Sequence, residues 1–268
     1  MIFKKNKSVA SLDKNYLNLC KNAAINDDIF QNFRNLKDYK NILEHVDRDL
    51  AVKYLENIKN ISDLSNKDIF KVCNLLSNVG NPELVQLIEG ENPVSTTSLR
   101  YLNVALDIKT KFNQNTFNHI VEIGPGYGGQ SIILQEFFNI DKYTYIDLPD
   151  VNKLIEKFIN SHKINFMTEH KTLNDDFDDN NYDLVISNYA FSELDYKLQS
   201  FSINNIINKS KYCYMIINSD AFKQNEKYKK FRFMNRNELL NKVNNSYIDI
   251  EIPLTADDNY LLLKNDIK

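Results

Sequence analysis

Residues 121–129 read Val-Glu-Ile-Gly-Pro-Gly-Tyr-Gly-Gly. The stretch ends an apolar run, His119-Ile-Val-Glu-Ile123, and opens the apolar-periodic segment from Gln130 to Phe138. It therefore reads as a strand, a tight glycine turn and a helix. Glycine is needed in such a turn because the backbone bends sharply and a ligand approaches closely. Gly126, Gly128 and Gly129 alone are half of the chain's six glycines, so average composition does not explain the loop. Gly124, Gly126 and Gly129 fit the G-x-G-x-x-G spacing of dinucleotide sites. Gly124, Gly126 and Gly128 fit G-x-G-x-G, with Glu122 two residues ahead. The plainer alternative is a tight strand–helix turn that binds nothing.

Outward from this loop, short apolar runs alternate with amphipathic segments. Tyr143 to Asp147 reads as a second strand, followed by a helix through Val151, Leu154, Ile155, Phe158 and Ile159. Ile164 to Met167 is a weaker third strand, Tyr182 to Ser187 a fourth and Tyr212 to Asn218 a fifth. This alternation predicts a mostly parallel sheet covered by helices on both faces. Tyr247 to Pro253 and Tyr260 to Leu263 predict a closing antiparallel hairpin with a short polar loop. Before residue 95 the spacing is helical, as in Ile42, Leu43, Val46, Leu50 and Tyr54. Ser65 marks one helix start and Ser95 to Thr97 another. The expected organisation is a helical region over 1–95, serving as cap or oligomerisation element, and an α/β domain over 96–268.

Composition narrows the function. The chain has 268 residues and a net charge of −3, with 33 basic and 36 acidic residues interspersed. No basic excess is present, which argues against nucleic acid as the main partner. Cys20, Cys73 and Cys213 form no Cys-x-x-Cys pair and their odd number is a poor disulfide framework. The segment Met1 to Ser8 has no apolar core, so no signal peptide is expected, and no run approaches the ~20 apolar residues of a membrane span. A cytoplasmic protein is the expectation.

NAD places a pyrophosphate at the helix N-terminus. S-adenosylmethionine has no phosphate and carries an amino-acid end, a sulfonium charge and an adenosine. Glu122, at the strand end, suits that cationic ligand and would repel a pyrophosphate. Asp147, with Leu148 beside it, ends the next strand, where a carboxylate can accept both ribose hydroxyls of either cofactor. Three stretches together resemble the class I S-adenosylmethionine-dependent methyltransferases. They are Glu122-Ile-Gly-Pro-Gly-Tyr-Gly-Gly129, Tyr145-Ile-Asp-Leu-Pro149 and Ser187-Asn-Tyr-Ala-Phe-Ser-Glu-Leu194. Within that class they are similar to the sugar O-methyltransferases of bacterial capsule and O-antigen gene clusters. The resemblance covers about residues 90–265. It implies a Rossmann-like sheet with a C-terminal antiparallel hairpin, S-adenosylmethionine as cofactor, and methyl transfer to a hydroxyl of a sugar, sugar nucleotide or glycan. A phosphoryl or phosphoramidate oxygen is a related acceptor, and a homodimer is one role for the N-terminal helices.

Ligands in such sheets bind beyond the carboxyl ends of the strands. Asn188 is therefore a candidate for holding the donor's amino-acid end. Glu193 is the leading base for an acceptor hydroxyl, its other reading being a helix N-terminal carboxylate. Asp220, after the fifth strand, is the second candidate base or else a turn cap. Asp175 and Asp176 are candidates for the adenine amine, within what is otherwise a polar loop. Asp220, Asp257 and Asp258 could together hold a divalent cation, although scattered carboxylates make that coincidence cheap, and no metal is expected. His45, His119, His162 and His170 have no nameable partner in the sequence. An NAD-dependent oxidoreductase or epimerase would need a set such as Tyr-x-x-x-Lys, which neither Tyr189 nor Tyr228 supplies. A non-catalytic nucleotide-binding partner would keep the glycine loop and need no base.

Overall fold

The computed structural model describes residues 8–177, 181–218 and 226–266. The apolar runs form seven strands of one sheet. They are β1 (Thr116–Ile123), β2 (Asn139–Ile146), β3 (Met167–Lys171), β4 (Tyr182–Asn188), β5 (Ser210–Ile217), β6 (Ser246–Asp249) and β7 (Tyr260–Asn265). The order across the sheet is β3-β2-β1-β4-β5-β7-β6. The first five strands run parallel, while β7 is antiparallel to β5 and β6 to β7. This is the expected parallel sheet with an antiparallel close.

Two details depart from the sequence reading. The third strand begins at Met167, not Ile164, because Met167 to Lys171 pairs with Lys142 to Ile146. Its residues Thr168, Glu169 and His170 are polar and its edge position leaves them partly exposed, so hydrophobicity pointed too early. In the tail, β6 stops at Asp249 and a long connection, 250–259, precedes β7.

The main helices are α1 (Lys14–Ile25), α2 (Arg48–Ile61), α3 (Asn66–Cys73), α4 (Thr96–Phe112), α5 (Gly129–Leu134), α6 (Pro149–Asn160), α7 (Tyr196–Asn205) and α8 (Arg236–Lys242). Asp13, Asp47, Ser65 and Asp195 cap α1, α2, α3 and α7 by accepting from first-turn N–H groups. Pro149 starts α6 with a φ already suited to a helix.

Alternate strand residues feed two cores. Ile120, Tyr143, Tyr145, Ile186 and Tyr214 face one side, with the N-terminal helices, α4 and α6. Val121, Ile123, Ile146, Val185 and Met215 face the other, with α7 and α8. Every residue of α4 from Thr96 to Leu106 is buried, because α2 and α3 cover the side that the sheet and α5 do not. The N-terminal region is thus a third layer on one core rather than an appendage.

Glu122 lies in that core, 1% exposed, accepting a 2.6 Å hydrogen bond from Tyr143 Oη. Burial pushes its carboxyl up to about 7, against the lowering effect of the Tyr143 hydroxyl. A carboxyl raised in the fold keeps its proton where the unfolded chain has lost it. Stability therefore falls as pH rises from about 4.5 towards 7 and stays lower above. Glu122→Gln keeps the acceptor oxygen and removes the titration. Melting curves should place the variant above the wild type at pH 8, by roughly 1–3 kcal/mol, with no such gain at pH 5. Equal stabilities at pH 8 would contradict a buried Glu122 whose carboxyl is raised to about 7.

Candidate active site

The parallel strands end level, Ile123 beside Ile146 and Ile146 beside Lys171. Strand order reverses between β1 and β4, which opens a crevice above that edge. The loops after β1 and β4 meet there. A Cβ at Gly124 would stand 2.1 Å from the Cβ of Ala190, and Gly124 has φ +71°, so no side chain fits. Ser187 Oγ donates to the Ile123 carbonyl at 2.8 Å and accepts from the Phe191 N–H at 3.0 Å, fixing the two loops together. Above them lies a cleft of about 550 Å³.

One end of the cleft suits a nucleoside. Gly124, Gly126, Asp147 and Leu148 line it, with Thr172 to Asn174 beyond. Gly126, at φ +64°, presents bare backbone, and a Cβ there would press on Leu43 at 3.0 Å. The Asp147 carboxyl is pushed up to about 7 by burial, while the N–H groups of Leu148 and Gly126 hold it down. The Leu148 N–H donates to it at 2.7 Å. Asn188 lines the centre: its Nδ2 donates to Gln130 at 3.3 Å, and its buried Oδ1 has no hydrogen-bond partner among the described residues. A buried amide oxygen left unpaired fits a ligand that brings a donor.

The other end holds Glu193, Asn218, Thr255 and Asn259. Burial pushes the Glu193 carboxyl up to about 7, partly offset by Asn218 Nδ2, which donates to it at 3.3 Å. Tyr189, between Asn188 and the short 3-10 turn carrying Glu193, has φ +71°. Its N–H donates to the Ile216 carbonyl and its Oη donates to Glu251 at 2.5 Å, so both ends of this strained residue are held. The N-terminal layer roofs the cleft with Leu43, His45, Leu50 and Tyr54. The chain near Ser8 pairs with Leu194, and Val9 N–H donates to the Glu193 carbonyl.

Several residues singled out in the sequence lie elsewhere. Strand alternation turns Ile123 to the cleft side and Glu122 away from it, into the Tyr143 bond. Gly128 packs on α6 near Ile155 and Ile159 rather than on the cleft. Asp175 folds back to accept from Thr172 N–H and Oγ1, and Asp176 is exposed, so Leu173 and Asn174 line the cleft instead. Asp220 lies outside the described residues. Asp257 and Asp258 are exposed, and among the described residues no three His, Cys, Asp or Glu side chains gather as a metal site. Of the histidines, His45 reaches the cleft, with its pKa lowered by burial and by Arg100. His119 bonds Thr144, His162 packs on Phe158 and His170 stacks on Tyr145. The sequence reading missed Arg100 and Tyr54, which also line the cleft. A charged residue between Leu99 and Tyr101, inside an apolar helix, was the available signal for the first.

No family model matches the chain, and no curated protein matches it. Solved structures do. A methyltransferase of Clostridium acetobutylicum described as S-adenosylmethionine-dependent is 10% identical, with 62% of this chain and 91% of that one aligned at a TM-score of 0.48. The N-methyltransferase NodS of Bradyrhizobium japonicum is 13% identical over 61% and 89% of the two chains, TM-score 0.42. TrmK of M. capricolum, solved with S-adenosylhomocysteine, is 17% identical over 63% and 68%, TM-score 0.42.

The Glu193 environment is directly testable. A carbon-detected NMR titration should find its carboxyl near 7 in the wild type and higher in Asn218→Ala, which loses the hydrogen bond that favours the charged form. Titration in the usual carboxylate range in both proteins would contradict this geometry.

Proposed function

We propose that the chain is an S-adenosylmethionine-dependent O-methyltransferase. Its acceptor would be a sugar hydroxyl, or a related small polar group such as a phosphoramidate, in capsular or surface polysaccharide synthesis. The observation that carries the reading is the two-ended cleft, with a carboxylate and bare glycine backbone at the nucleoside end and a desolvated carboxyl at the other. Asp147 would accept from the ribose hydroxyls, Gly124 and Gly126 would admit the donor against the backbone, and Asn188 Oδ1 would accept from its ammonium group. S-adenosylmethionine supplies an electrophilic methyl group when bound. Glu193 takes the proton of the acceptor hydroxyl, and a carboxyl near 7 is matched to that task at neutral pH. The N-terminal roof excludes water, which strengthens electrostatic interactions inside. Asn218 beside Glu193, with Thr255 and Asn259 also lining the cleft, suits a hydroxylated acceptor, and the stretch around Glu193 is one of the three that together resemble the sugar enzymes. Three buried thiols, unpaired, suit a reducing cytoplasm, and no helix among the described residues is long and apolar enough to cross a membrane.

Calorimetry with S-adenosylhomocysteine tests the donor site. Asp147→Ala should weaken binding by roughly 1.5–3 kcal/mol, the range for a lost charge-assisted hydrogen bond. A wild type indifferent to millimolar S-adenosylhomocysteine would sink the reading. For the acceptor side, kcat/KM with a verified acceptor should rise with pH through about 7 as Glu193 ionises. Glu193→Gln should lower turnover about a hundredfold or more and leave donor affinity unchanged. A near-normal rate in that variant would remove Glu193 from the role and bring Asp220 forward.

A further inference from the structure

Among the described residues two arginines are buried, and they differ in one respect. Arg34, 0% exposed, has a partner at each nitrogen: Nε meets Glu44 at 2.5 Å, Nη2 donates to Ser95 Oγ at 2.9 Å, and Nη1 donates to the Leu76 carbonyl. Arg100, 4% exposed, pairs with no carboxylate among the described residues. Its Nη2 reaches the Leu43 carbonyl at a long 3.5 Å, the group also lies against the Tyr101 side chain, and its buried Nε has no hydrogen-bond partner of normal geometry among the described residues. It lines the cleft. Tyr54, 2% exposed, lines the cleft too; its buried hydroxyl faces the Tyr189 side chain and makes no hydrogen bond of normal geometry among the described residues. Neighbouring carboxylates are engaged elsewhere, Glu44 by Arg34 and Glu251 by Tyr189 and Thr255.

We propose that Arg100 and Tyr54 form an anion subsite that takes a phosphoryl or carboxylate group of the acceptor. The proposal rests on the methyl-transfer reading of the cleft. Buried guanidinium groups are kept with a counter-charge, and the fork of Arg fits two oxygens of a phosphoryl or carboxylate group.

Although Arg100 Nη2 approaches the carbonyl of Leu43, whose side chain roofs Gly126, the stripe on which Arg100 stands points to the acceptor rather than to the donor's own carboxylate. Arg100, Asn103 and Asp107 share one stripe of α4. Asn103 donates to the Ile252 carbonyl at 2.9 Å and Asp107 accepts from Tyr214 Oη at 2.9 Å, so this stripe faces β5 and the tail. The glycine-loop side of α4 is a different face, where the Tyr101 carbonyl accepts from Gln130. Tyr54 stands one turn before Asn57, which donates to Asn103 at 2.8 Å, so the two orphan groups lie one turn nearer the cleft along paired helices. The Arg100 guanidinium is 5.9 Å from the Tyr189 ring, whose hydroxyl is bonded to Glu251 in the tail.

The test uses inorganic phosphate and acetate as probes on the complex with S-adenosylhomocysteine, by calorimetry against chloride at matched ionic strength. At least one probe should bind with the nucleoside product in place. Arg100→Met, apolar and of similar length, should weaken that binding tenfold or more, and Tyr54→Phe about threefold or more. Both variants should hold S-adenosylhomocysteine within twofold of the wild type. Three results would overturn the proposal: neither probe binds, the probe binds Arg100→Met as well as the wild type, or probe and nucleoside compete. A tenfold loss of S-adenosylhomocysteine affinity in Arg100→Met would likewise overturn it and give Arg100 to the donor. Failure of the wild type to bind S-adenosylhomocysteine would instead overturn the methyl-transfer reading. The same titrations on the free protein would then decide the anion subsite.

Discussion

Tyr127, between Gly126 and Gly128, is 0% exposed, and the glycine loop depends on what encloses it. Its ring meets Phe33, Tyr39, Tyr101 and Phe158 within 4.7–6.3 Å, and the Arg34 guanidinium lies 4.5 Å from its centroid. Burying such a ring is worth about 1.5–3 kcal/mol, and the cation adds roughly 0.5–2. Arg34 is itself locked by Glu44 and Ser95, so the start of α4 and the N-terminal layer are tied to the same point. A loop whose glycines give it freedom is in this way fixed in one conformation by the single large side chain it contains. The N-terminal helices therefore do two things at once. They hold the loop from beneath through Tyr127, and they roof it through Leu43, which would touch any Cβ at Gly126.

The cleft sets its chemistry by desolvation. Asp147 and Glu193, at opposite ends, are both pushed up to about 7 by burial, and each is held down by a different partner. Backbone N–H groups hold Asp147, as suits a fixed acceptor. A side-chain amide holds Glu193, which is looser and suits a group that gains and loses a proton. Tyr189 separates them. Its backbone is in a conformation that non-glycine residues rarely adopt, and that turn carries the chain from Asn188 to Glu193 across the crevice. Strain at this position is maintained by bonds to β5 and to Glu251, so the tail connection, remote in sequence, shapes the centre of the site.

Much of this was legible in the sequence, for identifiable reasons. The parallel strands are buried on both faces, so they appear as unbroken apolar runs, and the glycine loop sits where one of them ends. The third strand was misplaced because an edge strand tolerates Thr168, Glu169 and His170. Glu122 looked like a ligand by its position beside the loop, yet the alternation of side chains along β1 sends it to the opposite face from Ile123. Asp175 and Asp176 looked available because they are acidic and near the right strand, whereas the local turn at Thr172 consumes the first. Tyr54 gave no signal of a place in the cleft, and Arg100 showed only as a charge inside an apolar helix, for a different reason. Their meaning lies in what they lack, a partner, and that emerges only when α2 and α4 pack side by side.

Hydrogen exchange by mass spectrometry, with S-adenosylhomocysteine and with NAD as separate ligands, addresses the central claim most directly. S-adenosylhomocysteine should slow exchange in the segments around Gly124 to Gly128, Asp147 to Leu148 and Asn188 to Glu193, together with the roofing segment near Leu43, while NAD leaves all four unchanged. Protection of these segments by NAD, or none by S-adenosylhomocysteine, would contradict the assignment of the cleft to a methyl donor.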